Sequence, residues 1–574
     1  MAEALDILTF IRDSTDKAIS EISKIYEVNL IENGSKYDIK VDIKIKGKIE
    51  EFKFIIIFHE FPLQIPIILI SPEDIYRIKG IPHIGLNGFI CTYDQNVRTN
   101  MDNPTAVLVN CIEKAKLIIK NGLEGKNRED IEEEFINYWN GGDFIFIPTI
   151  STIDYTVDNP SNLNFYFLKK SFNKFLALVT SDDEKSSHFT DFLNTNNILI
   201  KTPSFYVGNL PSTECLSVKS YRQSLELIKK YKKDIMGELE NFINSNDKLV
   251  ILFKNKIKNN NYYFGWAYTY YSMKNGFNPT KTSNFDILTS IIYQGLQKVV
   301  RLNTEVFTKE RSHRRSSGLN FKQNKQINLS IVGLGSIGSN IIPFLKPLNI
   351  DELLLIDKES LLIENIGRHF LGLDYLNDNK ANAMKIYLKR INPYLKISVE
   401  EKSLVEIITN NPQKLNKSDF IIICIGDTNS EIFADIALKS KVLKKPLIFI
   451  WVEPYLAGGH LVYMTPTSKT NFKNLFEDNY YINNIINKEE YKKNRFTDRE
   501  AGCQTSFTPY SLINIMSFLS DLYPRLLEIL NRNIKSGKSL IWIGDTKFIK
   551  DNGIRLSKIA EENKMGNIIE KDII

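Results

Sequence analysis

The stretch Ile327–Asn340, INLSIVGLGSIGSN, decides the fold. A run of apolar residues leads into Gly333-x-Gly335-x-x-Gly338, and a helical pattern follows. Glycines permit a tight turn and a close backbone approach to phosphate. A helix opening at that point adds unpaired N–H groups and a positive dipole end. The motif therefore reads as a nucleotide loop rather than a turn needed only for helix–strand packing. Downstream, "DELLLIDKE", "SDFIIICIGD" and "KPLIFIWVEP" are short apolar runs separated by helical segments. Strands buried on both faces have this character. Residues 311–574 are expected to form a doubly wound α/β domain. Pro343 should kink the helix after the loop or end its first turns.

Working outward, the chain has 574 residues, too many for one compact core, and several domains are expected. Its 43% hydrophobic and 25% charged residues are those of an ordinary globular protein. A net charge of +6 is small for this length, and no direct nucleic-acid partner is inferred from it. Cysteines 91, 111, 215, 424 and 503 are far apart, odd in number and form no Cys-x-x-Cys pair. That argues against a disulfide framework and against a four-cysteine zinc site. No run reaches the ~18 apolar residues of a membrane span. The start, MAEALDILTFIRDSTDK, lacks the apolar core of a signal peptide. A cytoplasmic protein without a membrane partner is expected.

Residues 1–145 read as a small α+β domain. "YDIKVDIKIKGKIEEFKFIIIFHEFPLQIPIILISPED" alternates and then becomes continuously apolar, which predicts a small antiparallel sheet. "NPTAVLVNCIEKAKLIIKNG" is an amphipathic helix with Cys111 on its apolar face, and "REDIEEEFINYWNGGD" is a second helix. Residues 146–310 form a less legible α+β linker domain. "DKLVILFKN" and "NYYFGWAYTYY" read as strands, and "YRQSLELIKKYKKDIMGELENFIN" as one helix. The basic stretch that carries Arg311, Arg314 and Arg315 reads as a linker or exposed loop.

The residues after the glycine loop narrow the ligand. Asp357 ends the next strand, where an acidic group reaches a ribose hydroxyl. To this point NAD and ATP are both open. Asn365 and Arg368 lie three positions apart, and Lys380 falls in the first turn of a helix that Asp378 is expected to cap. A lysine there opposes the helix dipole, and a phosphate would favour it. Asp427 follows the strand "FIIICIGD" and offers hard oxygen atoms to Mg²⁺. Each residue alone reads as a solvated surface group. The ordered set suits a triphosphate better than a dinucleotide.

That order, Gly333, Gly335, Gly338, Asp357, Asn365-x-x-Arg368, Lys380 and Asp427, resembles the adenylation domain of ubiquitin-activating-like enzymes, the ThiF/MoeB group with its Rossmann-like sheet. The resemblance implies that a protein's C-terminal carboxylate attacks the α-phosphate of ATP, leaving an acyl-adenylate and pyrophosphate. It implies Asp357 at the ribose, Asn365, Arg368 and Lys380 at the phosphates, and Asp427 at the metal. It also implies a homodimer. Cys503 lies in "FTDREAGCQTSFTPYS", the region where such enzymes place a thioester-forming cysteine; the competing reading is a small residue in a glycine turn.

"IPHIGLNGFICTYD", residues 81–94, sets His83 eight residues before Cys91. With the preceding strands, "FHEFPLQIP" and the closing "EEEFINYWN", it is similar to the prokaryotic variant of the ubiquitin-conjugating fold. The resemblance implies that Cys91 is an acyl carrier. His83 is a catalytic candidate beside it, as a base or as a residue that holds the loop. The His-Pro-Asn signature of eukaryotic conjugating enzymes is absent, and Asn87 is its substitute candidate. Conjugating-like and activating-like segments in one chain resemble the fused conjugation enzymes of bacterial CBASS antiphage systems. That implies a cGAS-like nucleotidyltransferase, or else a ubiquitin-like protein, as the activated partner, and a target lysine as acceptor. The competing readings are a sulfur-carrier adenylyltransferase, an NAD-dependent oxidoreductase and a non-catalytic ATP-binding scaffold.

Overall fold

The computed structural model describes the chain except for residues 1, 33–34, 79–80, 86, 94–96, 128–129, 131–133, 141–143, 159, 161, 173, 183–188, 191–192, 194–198, 247, 258–259, 270–298, 310, 312–324, 494–495, 497, 500–505, 533, 535 and 574. It divides into two compact units. One comprises 1–186 with 193–308, and the other 187–192 with 309–574. Among the described residues no helix is long and apolar enough to cross a membrane.

Among the described residues the first unit holds two sheets. The N-terminal one is antiparallel and follows chain order: Val28–Glu32, Lys36–Ile45, Lys48–Ile57, Ile67–Ile70 and Phe89–Ile90. Alternation in the sequence sends Ile39, Val41, Ile43, Phe52, Phe54 and Ile56 to one buried face. Lys46 and Gly47, both at positive φ, close the hairpin in two residues, as the right-handed twist of its strands requires. The helix Pro104–Glu124 lies on that face through Leu108, Cys111, Ile112, Ala115 and Ile119. Asn103 caps it by accepting from the Ala106 N–H, and a left-handed Gly125 ends it. Near its end, a Cβ on Gly122 would lie 2.1 Å from Ile81, so helix and loop meet closely just before Pro82 and His83.

The middle sheet has eight strands in the order Ser204–Asn209, Lys248–Ile257, Asn260–Thr269, Val300–Val306, Ile145–Ser151, Phe175–Ser181, Leu163–Phe172, Leu199–Thr202. The single helix expected over 221–244 is broken. Helices Tyr221–Tyr231 and Met236–Asn244 are separated at Lys232, whose φ of −140° leaves the helical region. Neither glycine nor proline marks the break, so the sequence pattern does not show it.

The second unit is the doubly wound domain. Lys396–Glu400, Ile350–Ile356, Ile327–Val332, Phe420–Ile423 and Leu447–Val452 are parallel neighbours in that order. Gly458–Met464, Gly537–Ile543 and Ile568–Ile573 extend the sheet antiparallel. Leu329, Ile331, Leu355 and Ile422 pack on one face against Met384, Ile515, Phe518 and Leu522. Val332, Leu354, Ile356 and Ile423 pack on the other against Leu404, Ile408, Ala434 and Leu438. Each such fully buried aliphatic side chain contributes about 1.5–3 kcal/mol. The chain leaves Ile327–Val332 toward one edge and later returns to pair on its other side. The crevice beyond the strand ends at that reversal is where such sheets bind ligands. Pro343 acts as expected: helix Ser336–Asn340 stops, and a second, Ile342–Leu345, starts with the proline in its first turn.

Candidate functional site

The three glycines of the loop do different work. Gly333 sits at φ +81°, and a Cβ there would lie 2.8 Å from the Cys424 carbonyl. At Gly338 a Cβ would fall 1.8 Å from the Gly333 carbonyl, so the helix can close on the loop only without one. A Cβ on Gly335 would meet nothing within 4 Å. That space belongs to a cavity of about 370 Å³ whose lining includes Gly335, Ser336, Asn365, Arg368, Lys380 and Tyr510. The volume is in the range of small-molecule sites.

The structure thus gathers Asn365, Arg368 and Lys380 around the open side of the glycine loop. Asn365 Oδ1 accepts from the Leu362 N–H at 3.1 Å, which fixes its turn. The Arg368 guanidinium lies 5.0 Å from the centre of the Tyr510 ring, with a long 3.4 Å contact to the Thr508 carbonyl. Lys380 is buried, and its Nζ donates to Glu359 Oε2 at 2.7 Å. The ammonium beside it holds the Glu359 carboxyl below its usual range. Asn379, not the expected Asp378, caps the lysine's helix; its Oδ1 accepts from the Ala381 and Asn382 N–H groups.

Asp357 braces the loop. Its two oxygens accept from the Leu334 N–H at 2.6 Å and the Glu359 N–H at 2.8 Å. Burial raises its carboxyl and these bonds partly offset the rise. His369, which no sequence motif marks, holds the loop from the other side. Its Nε2 contacts the Leu334 carbonyl at 2.7 Å while Nδ1 accepts from the Leu371 N–H. Burial lowers its proton affinity, so it serves there as a neutral ring. Glu453 secures the cavity wall that contains Trp451 and Pro454. Its carboxylate accepts from the Ile485 and Ile486 N–H groups and faces His460 Nε2 at 2.8 Å.

Asp427 lies at the start of helix Thr428–Lys439, next to the cavity-lining Gly426, and takes hydrogen bonds from the Asn429 N–H and Ser430 Oγ. Among the described residues no group of three or more His, Cys, Asp or Glu could hold a metal ion. A single exposed carboxylate suits a magnesium ion that takes its other ligands from phosphate oxygens and water.

Cys503, Arg314 and Arg315 fall outside the described residues. Cys111, Cys215 and Cys424 are buried, and burial pushes the Cys111 thiol up to about 11 and the other two higher still. Among the described cysteines Cys91 is the exposed one. Its N–H donates to the His83 carbonyl at 2.8 Å. His83 holds a left-handed φ of +66°, uncommon for a residue with a Cβ. Its Nδ1 lies 2.6 Å from Glu134 Oε1, and its Nε2 3.3 Å from Asp130 Oδ2. Both ring nitrogens thus face carboxylates. Asn87 Oδ1 is engaged with the Phe89 N–H at 3.2 Å. Nothing in the sequence motif pointed to Asp130 and Glu134, because they come from a segment some 50 residues away.

Comparison with known proteins agrees with both halves. Residues 316–516 match the ThiF family, and residues 24–143 match Prokaryotic E2 family B. The ATP-dependent ubiquitin transferase-like protein Cap2 of Pseudomonas aeruginosa is 24% identical over 334 residues, covering 55% of this chain and 57% of that protein. Ubiquitin-like modifier-activating enzyme 5 of Caenorhabditis briggsae is 23% identical over 159 residues, 25% of this chain and 35% of that one. The molybdopterin-synthase adenylyltransferase of Haemophilus influenzae is 30% identical over 130 residues, 22% of this chain and 50% of that one. The chain spans about half the length of the curated relatives it matches. An antiparallel sheet with an exposed cysteine and a doubly wound sheet with an open crevice thus lie in one chain, in a segment that matches Prokaryotic E2 family B and a segment that matches the ThiF family.

Proposed function

We propose that this chain is an ATP-dependent protein-conjugating enzyme. It adenylates the C-terminal carboxylate of a partner protein, carries the acyl group as a thioester on Cys503 and then Cys91, and delivers it to a lysine amine of a target. The observation that carries this reading is the convergence of Gly335, Asn365, Arg368 and Lys380 on one cavity at the reversal point of a doubly wound sheet. Two fixed cations in a partly buried cleft offset the repulsion between an incoming carboxylate and a phosphate. Such preorganised charge is the main means of catalysis where two anions must meet. Asp357, with Glu359 beside it, is assigned to the ribose. Magnesium, held through Asp427, would supply further neutralisation of the phosphates. An oxidoreductase using NAD leaves the two cations without a role.

The second half of the reading rests on Cys91, exposed in a braced loop while the other described cysteines are buried. An enzyme that stopped at the adenylate, or acted on a sulfur carrier, would not use that loop. The division into 1–145, 146–310 and 311–574, a cGAS-like nucleotidyltransferase as the activated partner, and a homodimer through the activating domain belong to the same proposal. The test is a non-reducing gel of the protein with Mg-ATP and that partner, run with wild type, Cys91→Ala and Cys503→Ala. Pyrophosphate release is followed in the same tube. A thiol-labile adduct that needs ATP is expected, kept by Cys91→Ala, which retains the first thioester, and lost in Cys503→Ala, which breaks the relay at its start. Pyrophosphate release with no adduct would limit the activity to adenylation. Neither signal, with partner binding confirmed, would remove this partner from the proposal.

A further inference from the structure

Tyr138, which contacts the His83 backbone, and Arg301, buried in the middle sheet, have no part in the relay. Cys91 takes its backbone direction from His83, whose carbonyl accepts its N–H. His83 in turn needs a restraint, because its left-handed backbone is one a residue with a Cβ leaves readily. The restraint is Tyr138. Its hydroxyl accepts the His83 N–H and donates to Glu134 Oε2 at 2.6 Å, the carboxylate that also grips the His83 ring. Burial and that carboxylate push the Tyr138 phenol well above its ordinary range, so it stays a donor; the charge of a Cys91 thiolate acts on it in the same direction.

Tyr138 belongs to the short helix Phe135–Trp139, and its neighbour Trp139 points into the middle sheet. Trp139 is fully buried, and its Nε1 donates to the Leu302 carbonyl at 2.8 Å. The Arg301 guanidinium lies 4.5 Å from the Trp139 ring centre and donates to the Trp139 carbonyl at 3.2 Å. It also reaches the Leu216 carbonyl at 2.8 Å. Burial lowers this arginine to about 10, a cost that the carbonyl bonds and the aromatic faces offset.

We propose that Tyr138 is a positioning residue for Cys91, acting through His83 and held in place by the Arg301–Trp139 clamp of the middle sheet. This rests on the reading of Cys91 as an acyl carrier. The middle region then sets the angle at which the thioester meets an amine. In discharge, the amine nitrogen bonds the acyl carbon and the carbon–sulfur bond breaks. Cys91 leaves as thiolate and the ammonium proton passes to water.

The test uses the full chain carrying Cys503→Ala, with Cys91 acylated directly by a short peptide thioester, so that adenylation is bypassed. Cys91→Ser is the loading control. Discharge to free lysine is measured against lysine concentration and against pH. Tyr138→Phe keeps the ring and removes both hydrogen bonds. It is expected to lower kcat about tenfold with the KM for lysine, the shape of the pH profile and the Tm unchanged. Trp139→Phe keeps a packed ring, loses the bond to Leu302, and is expected to lower kcat in the same direction by less. Discharge of Tyr138→Phe at the wild-type rate overturns the proposal, as does a loss of rate matched by a fall in Tm. If the wild-type thioester reacts no faster than the same thioester on urea-unfolded protein, the acyl-carrier reading fails instead.

Discussion

The glycine loop at 333–338 and the cysteine loop at 83–91 solve the same problem by opposite means. Each must hold a stretch of backbone in an unusual path beside an open space. The first does so by what it lacks: Gly333 turns where a side chain would collide, and Gly338 lets the helix close. The second uses one such glycine, Gly88 at φ +85°, but leans chiefly on what others supply: Glu134, Asp130 and Tyr138 hold His83 at a φ of +66°. A glycine held by close contact, as at 333 and 338, tolerates no side chain. A loop made by contacts depends on distant residues and can be tuned.

The largest expected effect is at the first loop. Lys380→Ala should lower ATP–pyrophosphate exchange by about 10²–10³, the loss typical of a single preorganised charge donor. It should barely move the Tm, because its partner Glu359 is largely exposed and regains water. Exchange within a few-fold of wild type would break the comparison by removing phosphate from this cavity.

Next comes Glu431, which underlies the Asp427 turn. It is buried, with Oε1 lacking a hydrogen-bond partner, and burial raises its carboxyl from 4.5 to about 7. Between those values the unfolded chain releases its proton first. Stability present below about pH 4.5 is therefore lost as pH rises through 7, by at most about 3 kcal/mol. Glu431→Gln should flatten that slope when urea midpoints are compared in mildly acidic and mildly alkaline buffer. An unchanged slope would show that Glu431 is not its source.

A third pair sharpens the contrast within the glycine loop. Gly338→Ala should cost about 1–3 kcal/mol, because the added carbon meets a backbone carbonyl at 1.8 Å. Gly335→Ala should stay within about 0.5 kcal/mol in thermal unfolding, since its Cβ enters open space, yet weaken ATP binding. Equal stability losses would mean that both glycines serve packing alone. The last expected effect is at His83→Asn. Asparagine tolerates the left-handed backbone, so stability should change by less than about 1 kcal/mol. Discharge from Cys91 should slow nonetheless. A wild-type rate would show that the ring contacts are dispensable.

The same contrast explains what was legible in the sequence. Glycine spacing and apolar strand runs are local patterns, and they foretold the doubly wound sheet; of the residues singled out with them, Gly335, Asn365, Arg368 and Lys380 line its cavity, whereas Asp357 and Asp427 do not. Glu359 and His369 escaped because their contacts, to Lys380 and to the Leu334 carbonyl, join residues 21 and 35 positions apart. The bracing of His83 escaped for the same reason. In the middle sheet the runs at 248–257 and 260–269 were legible as strands, while Arg301, buried among three carbonyls and two rings, carries no local pattern that marks it. The capping of the lysine's helix was misread by one residue, Asn379 for Asp378, since either side chain suits that position.

The Lys380–Glu359 contact has a consequence for how the cavity meets solution ions. Lys380 already has an anion at 2.7 Å, so an arriving phosphate exchanges with a carboxylate of the same sign. Little net charge is transferred from bulk water at that position. Its share of nucleotide affinity should accordingly change only weakly with ionic strength, whereas Arg368, which faces an aromatic ring and a carbonyl, should carry most of the salt dependence.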